Sequence, residues 1–277
     1  LLVEHDLVEV QGLFLRKEKP VLSPRKLSKD FETNIALLEL EERNLQERFA
    51  QKVQEFLQEE AISFIQAQTG IGKTYGYLLP ALSLENESGI LLSVPTKILQ
   101  NQVMHEEAKR LSEIFHISIH SLKGPQNYLK LDAFHAALEE EESNRLYTRF
   151  KMQLLVWLTE TETGDLDEIG QLYRYQQFLP DLVHDGNLHK DSLFWLEDFW
   201  RRGQEKARSC KLLVTNHAYL VTRLEDDPSL LEGRLLILDE AQKILLTLEN
   251  LSRKSYLLTD LLDQLDQALS REEGMLQ

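Results

Sequence analysis

The stretch "AQTGIGKTYG", residues 67–76, brings together residue types that could bind the phosphates of a nucleotide. Gly70 and Gly72 would let successive backbone N–H groups point at an anion. The Lys73 ammonium would reach the β- and γ-phosphates, and the Thr74 hydroxyl would bind Mg²⁺. A glycine-rich turn with a chance lysine is the alternative. A predicted strand before the run and a predicted helix after it favour a phosphate-binding loop.

Two further residues belong to this predicted loop. Thr69 lies within it, and Ala67 stands where the usual G-x-x-x-x-G-K-[ST] pattern has its first glycine. We expect both to line the nucleotide phosphates together with the glycines.

A pair of acids, Asp239 and Glu240, ends the apolar run "LLILDEAQ" at residues 235–242. In a parallel sheet the carboxyl ends of the strands form the binding crevice, so this pair and the loop should face each other. Asp239 would hold Mg²⁺, and Glu240 would polarise the water that attacks the γ-phosphate. A strand that simply ends in surface acids is the alternative.

Positioning these residues requires buried strands that alternate with helices. Short apolar runs predict such strands at 61–67, 89–95, 117–124, 211–216 and 234–240. Helical patterns follow at 74–84 and 97–115, and another begins near Leu45. The alternation predicts an α/β fold with a parallel sheet covered on both faces, a RecA-like phosphate-loop domain.

The remaining chain divides around this domain. Residues 7–15 predict a short strand broken at Gly12, followed by a proline-containing basic linker. The alternation stops between 128 and 207, where a mostly helical, aromatic-rich insertion is expected. The predicted units are an N-terminal strand and linker (1–35), the motor domain in two parts (36–129 and 207–243), the insertion (130–206) and the start of a helical unit (244–277).

Composition limits the function less than the motifs do. The 277 residues carry a net charge of −15, which alone argues against a nucleic-acid binder without excluding a locally basic groove. The single cysteine, Cys210, indicates a reducing, cytoplasmic setting. No apolar run approaches the ~20 residues that a membrane span needs.

Six stretches in this order resemble the superfamily-two helicases, and more narrowly the DinG/XPD branch. They are "RNLQERF" (43–49), the phosphate loop, "VPTKILQNQ" (94–102), "KGPQNYL" (123–129) and "VTNHAYL" (214–220), followed by "DEAQ" (239–242). The resemblance covers about residues 36–250, and the DinG-like helicases of Gram-positive bacteria are the most similar group. It implies that Gln46 contacts adenine and that Thr96, Lys97, Asn216 and His217 lie near DNA.

The sequence departs from the family pattern in three ways, and each departure predicts a difference in function. Pro125 replaces an arginine, and Lys130 replaces the first cysteine ligand of an iron–sulfur cluster, so we expect no cluster. Gln242 replaces a histidine that couples ATP to DNA. The resemblance also implies a second RecA-like domain, which we expect to be missing from this chain, so that the fragment alone is inactive.

The insertion supplies two more candidates for DNA contact, Arg201 and Arg202 in "FWRRG". Its aromatic residues are either a stacking platform for single-stranded DNA or the core of a helical insertion, and we favour the core. His217 and Asn216 are assigned either a loop-structuring role or contact with DNA or with another domain.

The resemblance therefore implies an ATP- and Mg²⁺-dependent DNA helicase that moves 5′ to 3′ on single-stranded or forked DNA. The alternative is a regulatory module that binds DNA under nucleotide control, without unwinding, and is attached to an exonuclease. The run "VEHDLVEV" lacks the Asp-x-Glu pair that opens such nucleases, so we expect any nuclease to precede this chain.

Overall fold

The computed structural model of the protein describes residues 6–17, 23–59, 61–84, 89–141, 143–187, 189–226 and 228–253. Within these ranges ten α-helices and six β-strands are formed. The strands are β1 (Leu7–Val10), β2 (Leu13–Arg16), β3 (Ile90–Val94), β4 (Ile119–Ser121), β5 (Leu212–Asn216) and β6 (Leu235–Leu238). The helices of the first half are α1 (Phe31–Leu37), α2 (Asn44–Leu57), α3 (Lys73–Leu82), α4 (Lys97–Val103) and α5 (Lys109–Phe115). Those of the second half are α6 (Leu131–Glu139), α7 (Arg145–Leu158), α8 (Phe199–Ser209), α9 (His217–Asp226) and α10 (Lys243–Ser252).

Four of the strands form the parallel sheet that the apolar runs predict, in the order β4-β5-β3-β6. Every residue of β3 and β5 is buried, because helices cover both faces of the sheet. The main core lies between this sheet and helices α2 to α5. The α/β fold class is confirmed.

The run 61–67 is not the buried strand that its apolar residues predict. These residues have no regular structure, and Ile62 and Phe64 are 88 % and 85 % exposed. A strand needs a ladder partner and a covered face. Among the described residues β6 pairs only with β3, and 37 % of Leu236 is exposed on it. The prediction for this run is therefore wrong in this structure.

The N-terminal strand is half of a hairpin. β1 and β2 pair antiparallel, with the two-residue turn Gln11–Gly12 between them. Both turn residues have positive φ, 50° and 80°, as a tight hairpin turn with the right-handed twist of strands requires. Leu13 and Leu15 of β2 are buried against the insertion.

The insertion has a core of its own, built around α6, α7 and the start of α8. Trp157, Tyr175 and Phe199 are buried in it, and Phe150 stacks on Tyr175 with ring centroids 4.3 Å apart. This agrees with the core interpretation of the aromatic residues. Tyr173, by contrast, lies on the surface, and Trp195 is not part of this core.

The helix after β3 is continuous but not uniform. α4 begins at its N-cap Thr96, whose hydroxyl accepts a hydrogen bond from the Leu99 N–H at 3.2 Å. A π-helical turn, Met104–Ala108, then joins α4 to α5. Residues 254–277, most of the predicted helical unit at 244–277, lie outside the described part of the chain. α10 occupies the beginning of that unit.

Candidate nucleotide-binding site

The phosphate loop has the backbone that an anion cradle needs. Gly70 and Gly72 adopt positive φ angles of 81° and 83°, which side-chain-bearing residues rarely take. A Cβ atom on Gly70 would meet nothing within 4 Å, so the loop is open on that side. Gly72 is the N-cap of α3, which therefore directs its positive end at the loop.

Gln46 of α2 stabilises the phosphate loop through a side-chain hydrogen bond. It is buried in α2, and its side-chain amide donates a hydrogen bond to the Gly72 carbonyl at 2.8 Å. A Cβ atom on Gly72 would lie 2.2 Å from that amide nitrogen, so only glycine fits there. The resemblance implied contact with adenine, whereas the structure shows Gln46 supporting the phosphate loop.

The acidic pair lies opposite the loop, as the parallel sheet predicts. The Asp239 N–H donates to the Ser93 carbonyl at 2.9 Å, which continues the β3–β6 ladder by one residue. Burial raises the pKa of the Asp239 carboxyl, while the Lys73 ammonium acts in the opposite direction. Lys73 and Asp239 are therefore close enough to interact, although the chain between them includes the whole insertion.

Tyr77 of α3 connects this helix to Asp239. Tyr77 is three residues after Thr74, so the two side chains share one face of the helix. Its hydroxyl donates to an Asp239 carboxylate oxygen at 3.5 Å. Burial raises the pKa of Tyr77 well above its usual range, so the hydroxyl stays protonated as a donor. Sequence patterns alone did not single out Tyr77.

Glu240 has a strained backbone and a nearby cation. Its φ is 49°, in the left-handed region that non-glycine residues avoid except where the surroundings hold them there. Lys243 Nζ lies 2.5 Å from its carboxylate, and this contact is the main reason that the pKa of Glu240 is lowered. The sequence places Lys243 one helical turn after Glu240, which is the only signal for the pairing. Gln242 is exposed beside them as the N-cap of α10.

The residues around the loop fit a bound nucleotide with Mg²⁺. The open cradle, the cation Lys73 and the oxygen donors Thr74 and Asp239 converge at the N-terminus of α3. No three His, Cys, Asp or Glu side chains of the described residues are grouped as a metal site. This agrees with a metal that takes only part of its ligands from protein and the others from phosphate and water.

The predicted DNA contacts Asn216 and His217 lie in the interior instead. Asn216 donates to the Gln100 side-chain oxygen at 2.9 Å and accepts from the Tyr219 N–H at 3.0 Å. His217, which is 0 % exposed, bonds Ser93 Oγ at 2.7 Å and the Asp239 carbonyl at 3.0 Å. These bonds agree with the loop-structuring alternative, and contact with DNA stays a prediction.

The insertion arginines are also engaged within the chain. Arg201 donates to the Trp195 and Leu196 carbonyls and pairs with Glu205 at 2.5 Å. Arg202 lies over the Phe199 ring and lines a cavity of about 580 Å³ beside β4 and α8. Burial lowers the pKa of Arg202. Contact of Arg201 and Arg202 with DNA stays a prediction.

Thr96 and Lys97 remain exposed at the start of α4. Lys97 reaches the Asn127 side-chain oxygen at 2.8 Å, which joins two of the helicase-like stretches. Lys130, which replaces the expected cysteine, forms an ion pair of 2.9 Å with Asp185. Cys210 is buried, and burial raises the pKa of its thiol.

Comparison with known proteins identifies the class to which this fold and site belong. Residues 44–164 match the DEAD/DEAH box helicases. The matched residues include the phosphate loop and the strands β3 and β4, and a domain of this family implies a RecA-like fold. Over these residues the chain is similar to the DEAD/DEAH box helicases.

The chain is also similar to curated proteins of the DinG type. It is 34 % identical over 188 residues to the 3′-5′ exonuclease DinG of Bacillus subtilis, a match that covers 65 % of this chain and 20 % of that protein. The 3′-5′ exonuclease DinG of Staphylococcus saprophyticus is 31 % identical over 191 residues, covering 66 % of this chain and 20 % of the relative. The Staphylococcus aureus protein of that name is 31 % identical over 170 residues. The matches thus span about a fifth of the length of these curated relatives.

Proposed function

We propose that this chain is part of an ATP-dependent DNA helicase that couples ATP hydrolysis to movement on single-stranded DNA. The observation that carries the proposal is the convergence of Lys73 and Asp239 across the carboxyl edge of the parallel sheet, with Tyr77 bonded to Asp239. Binding of a nucleoside triphosphate with Mg²⁺ requires a cation for the phosphates and a carboxylate for the metal, as Lys73 and Asp239 would supply at this edge of the sheet.

Each residue of the site has one role in the proposal. Gly70, Gly72 and Lys73 bind the phosphates, and Thr74 and Asp239 hold the metal. Bound Mg²⁺ neutralises charge on the β- and γ-phosphates. Glu240 orients the attacking water after its carboxylate leaves Lys243. His217 is hydrogen-bonded to Ser93 and to the Asp239 backbone carbonyl. It therefore fixes the backbone of Asp239 and, with it, the position of the Asp239 carboxylate.

The substrate and the rest of the motor are inferred from the helicase resemblance. We propose single-stranded or forked DNA as the partner, 5′ to 3′ as the direction, and a cytoplasmic setting. The start of α4 at Thr96 and Lys97 is the best surface for the DNA backbone, because both residues are exposed. A second RecA-like domain would complete the ATP site, and no iron–sulfur cluster would take part. No helix of the described residues is long and apolar enough to cross a membrane.

A second function is favoured by the names of the relatives, each of which is a 3′-5′ exonuclease DinG. In this alternative the chain binds DNA and nucleotide without unwinding, and controls an attached exonuclease. Gln242 in place of a coupling histidine also supports it.

Strand displacement on a forked DNA duplex distinguishes the two functions. The full-length protein would be incubated with ATP and Mg²⁺, beside its Lys73→Ala variant. ATP-dependent unwinding that the variant loses supports the helicase. Exonuclease activity that changes with ATP, without displacement of an undegraded strand, supports the regulatory module.

A further inference from the structure

The π-helical turn between α4 and α5 directs two consecutive acids in different directions. Glu106 is exposed, whereas Glu107 is partly buried and lies close enough to Thr74 to be influenced by it. A π-turn adds one residue to a helix and so rotates the side chains that follow it, and such turns occur often at functional sites. The turn is thus the local feature that brings Glu107 to the loop.

Glu107 is incompletely bonded where it lies. Its Oε2 atom is buried and has no hydrogen-bond partner among the described residues. Burial is the main reason that the pKa of Glu107 is raised, and Thr74 and Asp239 are both close enough to influence it. A buried carboxylate oxygen without a hydrogen-bond donor destabilises the folded protein. The unpaired Oε2 of Glu107 therefore needs an explanation.

The Thr74 hydroxyl explains why a carboxylate is useful at this position. A threonine oxygen that binds Mg²⁺ through a lone pair still carries a proton, and that proton needs an acceptor. Neighbours that orient a metal ligand in this way contribute strongly to metal affinity. Tyr77 donates its own proton to Asp239, and the Glu107 carboxylate is a charged acceptor close to Thr74.

We propose that Glu107 is a positioning residue for the Mg²⁺ of the nucleotide site. It accepts the Thr74 hydroxyl proton, which turns a Thr74 lone pair toward the metal, and its free Oε2 accepts a hydrogen bond from a metal-bound water. The proposal rests on the proposed nucleotide site and adds a residue that is distant from the phosphate loop in sequence.

Magnesium dependence of nucleotide binding tests this role without relying on turnover. A fluorescent, non-hydrolysable ATP analogue would be titrated into the full-length protein at a series of Mg²⁺ concentrations. We expect Glu107→Gln to raise the half-saturating Mg²⁺ concentration by about 10-fold or more, the scale of a lost orienting partner. Analogue binding without Mg²⁺ should stay within about twofold, because Glu107 does not touch the phosphates in the proposal.

Glu106→Gln is the matched control, since it removes the same charge from the same π-turn on the exposed side. It should keep the wild-type Mg²⁺ dependence. Glu107→Asp retains the charge but shortens the arm, and it should shift the dependence in the same direction if Glu107→Gln does not fold. Unchanged Mg²⁺ dependence in a folded Glu107 variant would overturn the proposal. A wild-type protein that binds no analogue at any Mg²⁺ concentration would overturn the nucleotide site itself, and this proposal with it.

Discussion

Glu240 combines a left-handed backbone with a carboxylate that Lys243 holds 2.5 Å away. Such strain persists only where the surroundings impose it, and it is frequent where a side chain must be aimed. The ion pair with Lys243 keeps the carboxylate charged, as a group that orients water must be. Both features agree with the role proposed for Glu240 in hydrolysis.

Replacing Glu240 by Gln should separate nucleotide binding from hydrolysis. The amide keeps the size of the side chain but cannot accept a proton from water. We expect ATP binding to persist and steady-state hydrolysis by the full-length protein to fall by on the order of 10²-fold or more. Glu232→Gln, an exposed acid before β6, serves as the control. Wild-type turnover in Glu240→Gln would remove Glu240 from the mechanism.

The residues that bind phosphate could be predicted from the sequence because their spacing is local. Gly70, Gly72 and Lys73 are adjacent, and one turn of backbone defines their geometry. Asn216 and His217 could not be placed in this way, since their partners are Gln100, Ser93 and the Asp239 carbonyl. Glu107 and Tyr77 were missed for the same reason, because only the folded chain brings them to Asp239.

At the scale of elements, hydrophobic patterning predicted five strands for the sheet, and four of them are formed. Runs 89–95, 117–124, 211–216 and 234–240 contain β3, β4, β5 and β6. The run 61–67 is equally apolar but has neither a partner strand nor cover in this structure. The hairpin turn at Gln11–Gly12 was read as a break in one strand, because its partner strand is only four residues long.

Phe64 offers a direct test of the run that precedes the phosphate loop. As placed, its side chain is largely exposed, so Phe64→Ser should change the free energy of unfolding by less than about 0.5 kcal/mol. Leu92→Ala, in the buried strand β3, should destabilise the protein by about 2–5 kcal/mol. Denaturant titration of both variants provides the comparison. A loss above about 2 kcal/mol for Phe64→Ser would indicate that the run is a buried strand after all.

β4 contains a histidine whose burial makes stability depend on pH. Burial lowers the pKa of His120 from 6.5 to about 4, and Lys206 acts in the same direction. Between these values the unfolded chain binds a proton that the folded chain excludes. The contribution of the neutral ring is therefore complete above about pH 6.5 and is lost as the pH falls toward 4.

We expect His120→Gln to reduce this loss of stability. Between pH 7 and pH 4 the free energy of unfolding should fall by about 3 kcal/mol less in the variant than in the wild type. Urea titrations at both pH values measure the difference. His189→Gln, at an exposed position, should follow the wild type. If His120→Gln also follows the wild type, the ring is not buried in its neutral form.

At the scale of the whole molecule, one buried lysine links the motor domain to the insertion. Lys123 follows β4 and is 1 % exposed. Its ammonium contacts Asp165 at 2.5 Å and Asp167 at 2.8 Å, both in the insertion. Its backbone N–H donates to the Tyr128 hydroxyl, so the stretch "KGPQNYL" is itself part of this junction.

Removing only the cation should destabilise the junction strongly, because two partly buried carboxylates would face each other without a counter-charge. We expect Lys123→Met to reduce the free energy of unfolding by about 3–5 kcal/mol. Adding Asp165→Asn and Asp167→Asn to the same chain should recover much of that loss. Lys109→Met, at an exposed position in α5, should have little effect. Thermal or urea unfolding of the three variants measures these differences, and a stable Lys123→Met protein would contradict the burial of this ion pair.

The central claim is that the phosphate loop and the acidic pair form one ATP site in a DNA-dependent motor. The most direct test is steady-state phosphate release from ATP by the full-length protein with Mg²⁺, with and without single-stranded DNA. The wild type and a Lys29→Ala control, changed at an exposed lysine outside the site, should show release that DNA stimulates. Lys73→Ala should lower it by about 100-fold or more, because the loop then lacks its phosphate-binding charge. Phosphate release by Lys73→Ala at the wild-type rate would contradict the assignment.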